Sequence, residues 1–578
     1  MNNKEKDLLS KIQKNFEDCK NRLNIGRIED NYKNYRAELP SDVTGEVDAE
    51  LFSPEPFHMI EAQVPWLCLD YVENNKPLVS LGGQEITDVD NAEKVGVLIN
   101  HQLERMDFGY KVPDIIRAGG IFDYVPIKWY WKVENKEQWH KEDIKFFGLT
   151  FGTRMVKSWG VAFKGPWVEV VHPINFFYPY GYKTIEEMPF VIHRFYSCID
   201  ELKAMAKDKE AGIKNLDDLR DGLAPINAEQ KKMDNVDEIK DDENLDYKRI
   251  EILEWQTDGK IVWVANQNTV VKEIDNVYSK KTFEVYSPIP DPFNFGGLGE
   301  LTPHDSIFKE INRIKNLFLD AARFEINPPG FLKDGSSIDF GEDGVKIKPG
   351  RFYVIEGVDN INEDISWMQR PTPNAAFYQI VQGLRQELLS DTFTPYLSGG
   401  VSPGMSKTTT GIARMQQAGS MPLQLKGHYL KRVVKNLIQN MLLMNAIFQS
   451  QDIYARISGT QEPLFIELDA VRNEYDITIN IDPAQAEKTA LRQSYMQTLQ
   501  TIAPFAQAIG FDLRGFLIDL IELLGIQHPE KYISMQATTQ DAMGMLGGIA
   551  TPPTPKTFSG GGEQVRRGSE RPFPTEAT

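Results

Sequence analysis

One glycine-rich loop in the sequence is close in composition to a phosphate-binding loop. Gly399 and Gly404 are separated by four residues, and Lys407 and Thr408 follow shortly after. In a nucleotide-binding loop the lysine directly follows the last glycine, so that its ammonium group and the backbone N–H groups meet the same phosphates. Here two residues intervene, and a predicted helix rather than a buried strand precedes the loop. The pattern favours a flexible connection between helices. Nucleotide hydrolysis stays open as an alternative, which loss of ATPase activity in Lys407→Ala would support.

The other residue types that could do chemistry lack the necessary spacing. The eight histidines show neither HExxH nor HxH spacing, and the three cysteines lie far apart, so the sequence predicts no metal site and no disulfide framework. No GxSxG motif occurs. Gly297 and Gly299 are followed by Thr302 where a dinucleotide-binding motif has its third glycine. We therefore predict no catalytic residue, no cofactor and no metal.

The charge of the chain argues against a protein that grips nucleic acid. A nucleic-acid binder neutralises phosphates with a basic surface, whereas this chain has a net charge of −19. Either nucleic acid is not a ligand, or it passes through without adhering. The length of 578 residues predicts two to four domains. The cysteine pattern predicts a reducing compartment, and the sequence predicts neither a secretion signal nor a membrane span.

Helical patterns must position the glycine-rich loop. The first runs from Pro303 to Glu325, with Thr302 as a possible cap and Asp305 where an acid favours the N-terminus of a helix. Its predicted apolar stripe comprises Ile307, Ile311, Ile314, Phe318 and Ala322. The polar residues predicted to lie off this stripe are Lys309, Asn312, Arg313, Asn316, Asp320 and Arg323.

A small module and two further helices complete this stretch. Residues 330–369 carry two short strand patterns, 345–347 and 351–355, punctuated by Gly and Asp. A second helix is predicted over about 373–390, and a third over about 411–449, where Pro422 should introduce a kink. Because the module is too small for a good core of its own, it would gain stability by packing against copies of itself.

The rest of the chain shows alternating helix and strand patterns. We predict one or two helices in 3–38 and short pieces broken by prolines in 51–80. A helix follows over 91–105, and another gives way at Gly119-Gly120 to a strand over 121–131. The remaining expectations are strands at 167–171, 190–195, 464–468 and 475–481, a hairpin at 249–265, a charged insertion at 207–247, helices at 484–503 and 513–524, and a disordered tail from 547.

This order of elements resembles the portal proteins of tailed bacteriophages over nearly the whole chain. The segments that carry the resemblance are NAEKV (91–95), LINHQL (98–103), AGGI (118–121), VPIKW (125–129), HPINFFYP (172–179), FVIHR (190–194), GLGEL (297–301), INR (311–313), TTGIA (409–413) and YDITI (475–479). None of them is a catalytic signature. Their shared order is what makes the resemblance specific.

The resemblance implies an α+β, mainly helical portal fold with wing, stem, clip and crown parts. Subunits of this fold assemble as a ring, usually of twelve, around a central channel. The implied parts are a wing (1–300, with the charged insertion 207–247), stem helices (301–326 and 372–396), a clip (327–371), a tunnel loop (397–410), a wing helix and strands (411–483), crown helices (484–546) and a flexible C-terminal tail (547–578).

The resemblance also implies which residues meet partners. The DNA channel would be contacted by Ser402, Ser406, Lys407 and Thr408 of the tunnel loop and by Lys309, Arg313 and Arg323 of the stem. The stem cations have a second interpretation, in which they pair with neighbouring acids or face solvent. Docking of the terminase motor and the head–tail adaptor would use Asp334, Glu342, Asp343, Lys346 and Lys348 of the clip.

The implied function is a non-enzymatic ring at one capsid vertex. Such a ring conducts double-stranded DNA during packaging and ejection, belongs to the virion after assembly in the host cytoplasm, contacts major capsid and scaffolding proteins, and involves no membrane. Two physical arguments agree with it. Negative charge around a channel keeps DNA from adhering, and a helix pair repeated in a closed ring buries each apolar stripe against the next copy. Another head–tail structural protein is the alternative, although a mass of 65.8 kDa argues against a small adaptor.

Overall fold

The structure of the chain is a computed structural model. The structure describes residues 3–38, 48–72, 78–83, 89–146, 149–206, 212–219, 249–326, 330–332, 365–367, 375–392, 409–449, 453–456, 463–473, 475–479 and 498. The chain divides into two compact units, Met1–Ile481 and Asp482–Thr578. In the second unit only Thr498 is described, so every element below belongs to the first.

The described part contains both helices and antiparallel sheets. The helices are α1 (Asn3–Lys20), α2 (Ile25–Tyr35), α3 (Glu55–Val72), α4 (Val89–Arg105), α5 (Phe108–Phe122), α6 (Ile199–Ala206), α7 (Asp305–Ile326), α8 (Ala375–Thr392), α9 (Thr409–Phe448) and α10 (Leu468–Val471). The predicted helices at the N-terminus, at 91–105 and around the glycine-rich loop are thereby confirmed.

The strands form six antiparallel sheets in the described residues. They are β1 (Val79–Gly83), β2 (Val125–Phe146), β3 (Leu149–Val170), β4 (Phe176–Phe177), β5 (Val191–Cys198), β6 (Arg249–Gln256), β7 (Lys260–Ala265), β8 (Thr269–Asp275), β9 (Phe283–Tyr286), β10 (Ile289–Pro290), β11 (Gly297–Leu298), β12 (Gly330–Leu332), β13 (Ile365–Trp367), β14 (Ile453–Arg456), β15 (Pro463–Ile466) and β16 (Tyr475–Ile479). Their orders are β4-β5-β6-β7-β8, β3-β2-β9, and the pairs β1-β16, β10-β11, β12-β13 and β14-β15. The predicted hairpin at 249–265 is confirmed, and the strand predicted at 475–481 is confirmed over its described residues, 475–479.

The largest core joins α3, α4, α5 and α9. The helical spacing of α4 places Val95 and Ile99 in this core, both fully buried. From α9, Leu437, Met441 and Met444 enter the same core, whereas Leu425, in the first half of the helix, is exposed. Because these helices come from distant parts of the chain, the core connects the segment before β2 with the segment after the glycine-rich loop.

The five-stranded sheet is covered on both faces. Ile12 and Phe16 of α1 pack on one face, and Leu202 of α6 packs on the other. Part of the charged insertion joins this second cover, since Leu219 is buried there and Ile213 forms a β-bridge to Lys272. Residues 212–219 are thus folded against the sheet and include a short 3-10 helix, Leu216–Leu219, while 220–248 lie outside the described residues.

A long hairpin is present of which the sequence predicted only the two ends, as strands at 121–131 and 167–171. Strands β2 and β3 are 22 residues each and pair from Ile127↔Val170 to Phe146↔Leu149. On its other side, within the described part of the chain, β2 pairs with β9 over residues 125–128 and with no strand beyond them. Most of the hairpin is therefore a two-stranded ribbon. Such a ribbon lacks the simple inside–outside alternation that marks a strand with one buried face.

Two predicted helix ends are wrong, one at a proline and one at a glycine pair. Pro65 lies inside the continuous helix α3, where we expected broken pieces. Helix α5 runs through Gly119-Gly120 to Phe122 instead of ending there. A Cβ on Gly119 would lie 2.8 Å from Cδ1 of Tyr286, and one on Gly120 would lie 2.9 Å from Cδ1 of Ile60. The two glycines thus serve close packing of the helix rather than its termination.

Several predictions fall on residues outside the described ranges. They are the strands 345–347 and 351–355, the tunnel loop apart from the start of α9, the helix at 484–503 apart from Thr498, the helix at 513–524, and the tail from 547.

Candidate functional site

Helices α7 and α8 pack together and flank the small module predicted to be a clip. Strand β12 follows α7, β13 precedes α8, and the two strands pair from Gly330↔Trp367 to Leu332↔Ile365. The module therefore begins and ends at one antiparallel ladder beside the helix pair. The predicted docking residues Asp334, Glu342, Asp343, Lys346 and Lys348 lie between these strands, outside the described residues.

Asp123 anchors the start of α7. One of its carboxylate oxygens accepts hydrogen bonds from the backbone N–H of Gly299, at 2.8 Å, and from the hydroxyl of Thr302, at 2.5 Å. The other oxygen lies 3.1 Å from Nη2 of Arg27. The prediction that Thr302 caps the helix is wrong, because its hydroxyl donates to Asp123 and accepts from Asn31 at 2.9 Å instead.

The glycines before α7 permit this close approach. A Cβ on Gly299 would lie 2.4 Å from the carbonyl oxygen of Gly120, and the neighbouring Glu300 N–H donates to that same oxygen at 2.8 Å. A Cβ on Gly297 would lie 2.2 Å from the carbonyl oxygen of Ile289. Backbone packing therefore accounts for both glycines of the short glycine motif.

The buried face of α7 is partly polar, which contradicts the predicted apolar stripe. Phe308 and Ile311 are buried, but so are Asn312 and Asn316, whereas Phe318 is exposed. The two asparagines hold an extended segment of the N-terminal region by its backbone. Asn316 accepts from Leu51 N–H at 2.7 Å and donates to the Leu51 carbonyl at 2.8 Å, while Asn312 accepts from Ser53 N–H at 2.9 Å.

Glu55, at the start of α3, joins three helices. Arg385 of α8 approaches its Oε1 with Nη2 at 2.5 Å and Nε at 2.7 Å, and Nζ of Lys315 from α7 lies 3.7 Å away. Burial alone would raise the pKa of Glu55, but the hydrogen bond from its own backbone N–H and the two cations lower that pKa below its ordinary value. The carboxylate is thus ionised at neutral pH and holds α8 to α7 and α3.

The predicted stem cations all have acidic neighbours in the same chain. Lys309 lies 3.0 Å from Asp305 and 3.2 Å from Asp30. Arg313 lies 3.0 Å from Glu310, and Arg323 lies 3.2 Å from Asp320. These distances agree with the ion-pair interpretation given above, and a role toward DNA stays a prediction.

Large apolar side chains are exposed along the helix pair. On α7 they are Leu317, Phe318, Phe324 and Ile326, and on α8 they are Phe377, Tyr378 and Ile380. The most exposed are Ile326 at 76% and Tyr378 at 65%. Large apolar side chains exposed in this number on two neighbouring helices indicate an interaction surface.

A buried charge cluster elsewhere has a structural explanation. Lys128 of β2 lies 2.5 Å from Glu254 of β6, and His193 of β5 lies 3.6 Å from the same carboxylate. Burial would raise the pKa of Glu254, but Lys128 and His193 lower it well below its ordinary range. All three are nearly inaccessible, so the cluster ties the hairpin to the five-stranded sheet. Charged residues this far apart in the chain gave no sequence signal.

The remaining candidate features concern the glycine-rich loop, metals and membranes. Ser402, Ser406, Lys407 and Thr408 lie outside the described residues. Within the described ranges, His, Cys, Asp and Glu form no group of three or more that could hold a metal ion. The helices that the structure describes include none with the length and apolar character needed to cross a bilayer.

Comparison with known proteins adds one finding. The model of a family described as "Phage SU10 portal protein" matches residues 155–557 of the chain. The matched range begins within β3 and includes α7, the module, α8, the glycine-rich loop and α9. No curated protein matches the chain.

Proposed function

The chain belongs to the phage SU10 portal protein family, and from this membership we propose that it forms a ring at one vertex of a phage capsid. The ring, of about a dozen subunits, conducts double-stranded DNA during packaging and ejection. Portal proteins are structural rather than enzymatic, so the proposed role of the chain is to assemble the ring and to let DNA pass through it.

The exposed apolar surface of α7 and α8 is the observation that carries the proposal. A closed ring places the same helix pair of the next copy beside each one and leaves no end of the array open. Burying a large apolar side chain contributes about 1.5–3 kcal/mol when it is complete. Seven partly exposed side chains on the pair therefore supply several kcal/mol toward one contact between subunits.

The charges of the helix pair support a conduit rather than a DNA binder. The cations Lys309, Arg313 and Arg323 lie within 3.2 Å of carboxylates of their own chain, which offsets their positive charge locally. With a net charge of −19 for the chain, a channel built from such subunits repels phosphate overall. DNA can then slide through without being held.

We assign the parts by position in the chain. Helices α7 and α8 form the stem, the module between them docks the terminase motor and the head–tail adaptor, and the loop before α9 faces the channel. Major capsid and scaffolding proteins surround the assembled ring.

Negative-stain electron microscopy of the purified chain tests the ring. We expect rings with a central hole for the wild type. Ile326→Glu combined with Tyr378→Glu should leave a folded subunit, since both side chains are exposed, but should abolish the rings. Phe293→Ser is the matched control, because Phe293 is 84% exposed and lies outside the helix pair, and it should form rings as the wild type does. Monomers alone, over a wide range of salt and protein concentration, would refute the proposed function.

A further inference from the structure

The β2–β3 ribbon extends well beyond the sheet that anchors it. At its base, Trp131 stacks on Phe448 of α9 with ring centroids 5.4 Å apart. The guanidinium of Arg105 lies 4.9 Å from the ring of Phe163 and donates to the Ala162 carbonyl at 3.3 Å. From Lys132 to Phe146 the strand continues for 15 residues, a reach of about 50 Å at roughly 3.4 Å per residue. We call residues 132–164 the arm.

One face of the arm carries exposed apolar side chains. Residues paired directly across two antiparallel strands share a face, and successive residues alternate between faces. The register pairs Val133 with Lys164, Trp139 with Lys157 and Met155 with Lys141. Val161 pairs with Asn135, and these four pairs lie on the same face. Val133, Trp139, Met155 and Val161 are all exposed, with Trp139 at 59%.

The arm has a charge opposite to that of the whole protein. Residues 132–164 contain seven Lys and Arg against four Asp and Glu, a net charge of +3, in a chain whose net charge is −19. On the apolar face, Nζ of Lys157 lies 5.1 Å from the ring centroid of Trp139, so cations and aromatic surface are interleaved there. A two-stranded ribbon is marginally stable by itself and gains stability when such a face is covered.

We propose that the arm docks on a second copy of this chain, with the face of Trp139 and Met155 against the acidic surface of the neighbouring subunit. This inference rests on the proposed ring and names an element that connects its subunits. Charge complementarity favours a second copy of the chain as the partner, because the arm is basic and the rest of the chain is strongly acidic.

Photocrosslinking of the full chain tests the contact directly. Trp139 is replaced by the photoreactive residue p-benzoylphenylalanine, and the matched control carries the same residue in place of Tyr180, an exposed aromatic outside the arm (75% exposed). After irradiation of the purified protein we expect a covalent product of twice the subunit mass from position 139, in at least about fivefold greater yield than from position 180. Mass spectrometry of the linked peptides should place the second site on another copy's acidic surface.

A second set of variants measures the energetic contribution of the face. Trp139→Ser with Met155→Ser removes exposed apolar surface without disturbing a core, and should raise the protein concentration needed for half-maximal ring formation about tenfold. Lys157→Glu should raise the protein concentration needed for half-maximal ring formation further and make that concentration less dependent on salt. Lys203→Glu makes the same charge change at an exposed side chain of α6 and should leave the concentration unchanged.

The outcomes separate this inference from the proposed function. If rings form but position 139 links only within its own chain, or only to DNA when DNA is added, the arm does not dock on a second copy and the ring stands. If the serine variant forms rings at the wild-type concentration, the inference also fails. If the wild type forms no rings, the proposed function fails whatever the crosslinks show.

Discussion

The asparagines on the buried face of α7 make a prediction that can be worked out from distances. Asn316→Ala removes the reciprocal pair of hydrogen bonds with the Leu51 backbone, at 2.7 and 2.8 Å. At about 1 kcal/mol net for each hydrogen bond, the segment at 48–53 loses about 2 kcal/mol of local stability. Because Leu51 is 48% exposed, its released N–H and carbonyl regain water, so the cost stays near this net value.

Hydrogen–deuterium exchange of the segment measures the effect. A loss of about 2 kcal/mol corresponds to roughly 30-fold faster exchange at the Leu51 amide. Asn316→Asp, although isosteric, should exchange at least as fast as the alanine variant, because its carboxylate would face the carbonyl oxygens of Leu51 and Asn312, to which the amide now donates. Asp320→Asn is the control, since an amide oxygen can still accept from the Asp48 N–H. Exchange at Leu51 within about threefold of wild type in Asn316→Ala would refute the reasoning.

Two further predictions concern a buried histidine and a buried ion pair. Burial, reinforced by Arg194, lowers the pKa of His172 to about 4 from an ordinary 6.5. The unfolded chain therefore binds a proton at this histidine at a higher pH than the folded protein does. The free energy of unfolding falls as the pH drops from about 6.5 to about 4. In His172→Asn the side-chain oxygen can still accept from the Ile174 N–H. Urea titrations of this variant should show a loss of unfolding free energy between pH 7 and pH 4.5 that is smaller by about 2.5 kcal/mol than in the wild type. An equal loss in both proteins would contradict the lowered pKa of His172. Arg385→Gln removes the ion pair with Glu55 and should speed amide exchange in α8 by several-fold, for a local cost of about 1 kcal/mol, whereas Arg385→Lys should recover part of the protection. Equal exchange in the glutamine and wild-type proteins would show that the pair does not hold α8.

Helical periodicity predicted the positions of α7, α8 and α9 but not how α7 is rotated in the fold. The pattern counts apolar residues, so it placed Ile307, Ile311 and Phe318 inward. The structure packs Ile307 and Ile311 in the core but exposes Phe318. It also buries Asn312 and Asn316, because an extended backbone segment needs hydrogen-bond partners there. Which face of α7 is buried depends on the segment at 51–53, more than 250 residues earlier in the chain. No local sequence window contains both segments.

The errors in the N-terminal half have a similar origin. Pro65 and Gly119 are local signals for ending a helix, yet both lie within helices that continue. At Gly119, close packing against Tyr286 outweighs the local preference, since a Cβ there would lie 2.8 Å from Cδ1 of that ring. Sequence reasoning therefore recovered the family and the order of the central elements, while the arm and the polar anchors of α7 required the fold.

The pairing of β1 with β16 has a consequence for how the protein is made. Val79 pairs with Ile479, about 400 residues later along the chain. At a synthesis rate of about 5–20 residues per second, β1 is synthesised some 20–80 seconds before its partner strand. During that interval the apolar side chains of Val79 and Leu81, buried in the finished protein, lack their cover, and the edge of the strand stays open to other chains. Synthesis thus exposes each chain to mispairing until its late strand emerges.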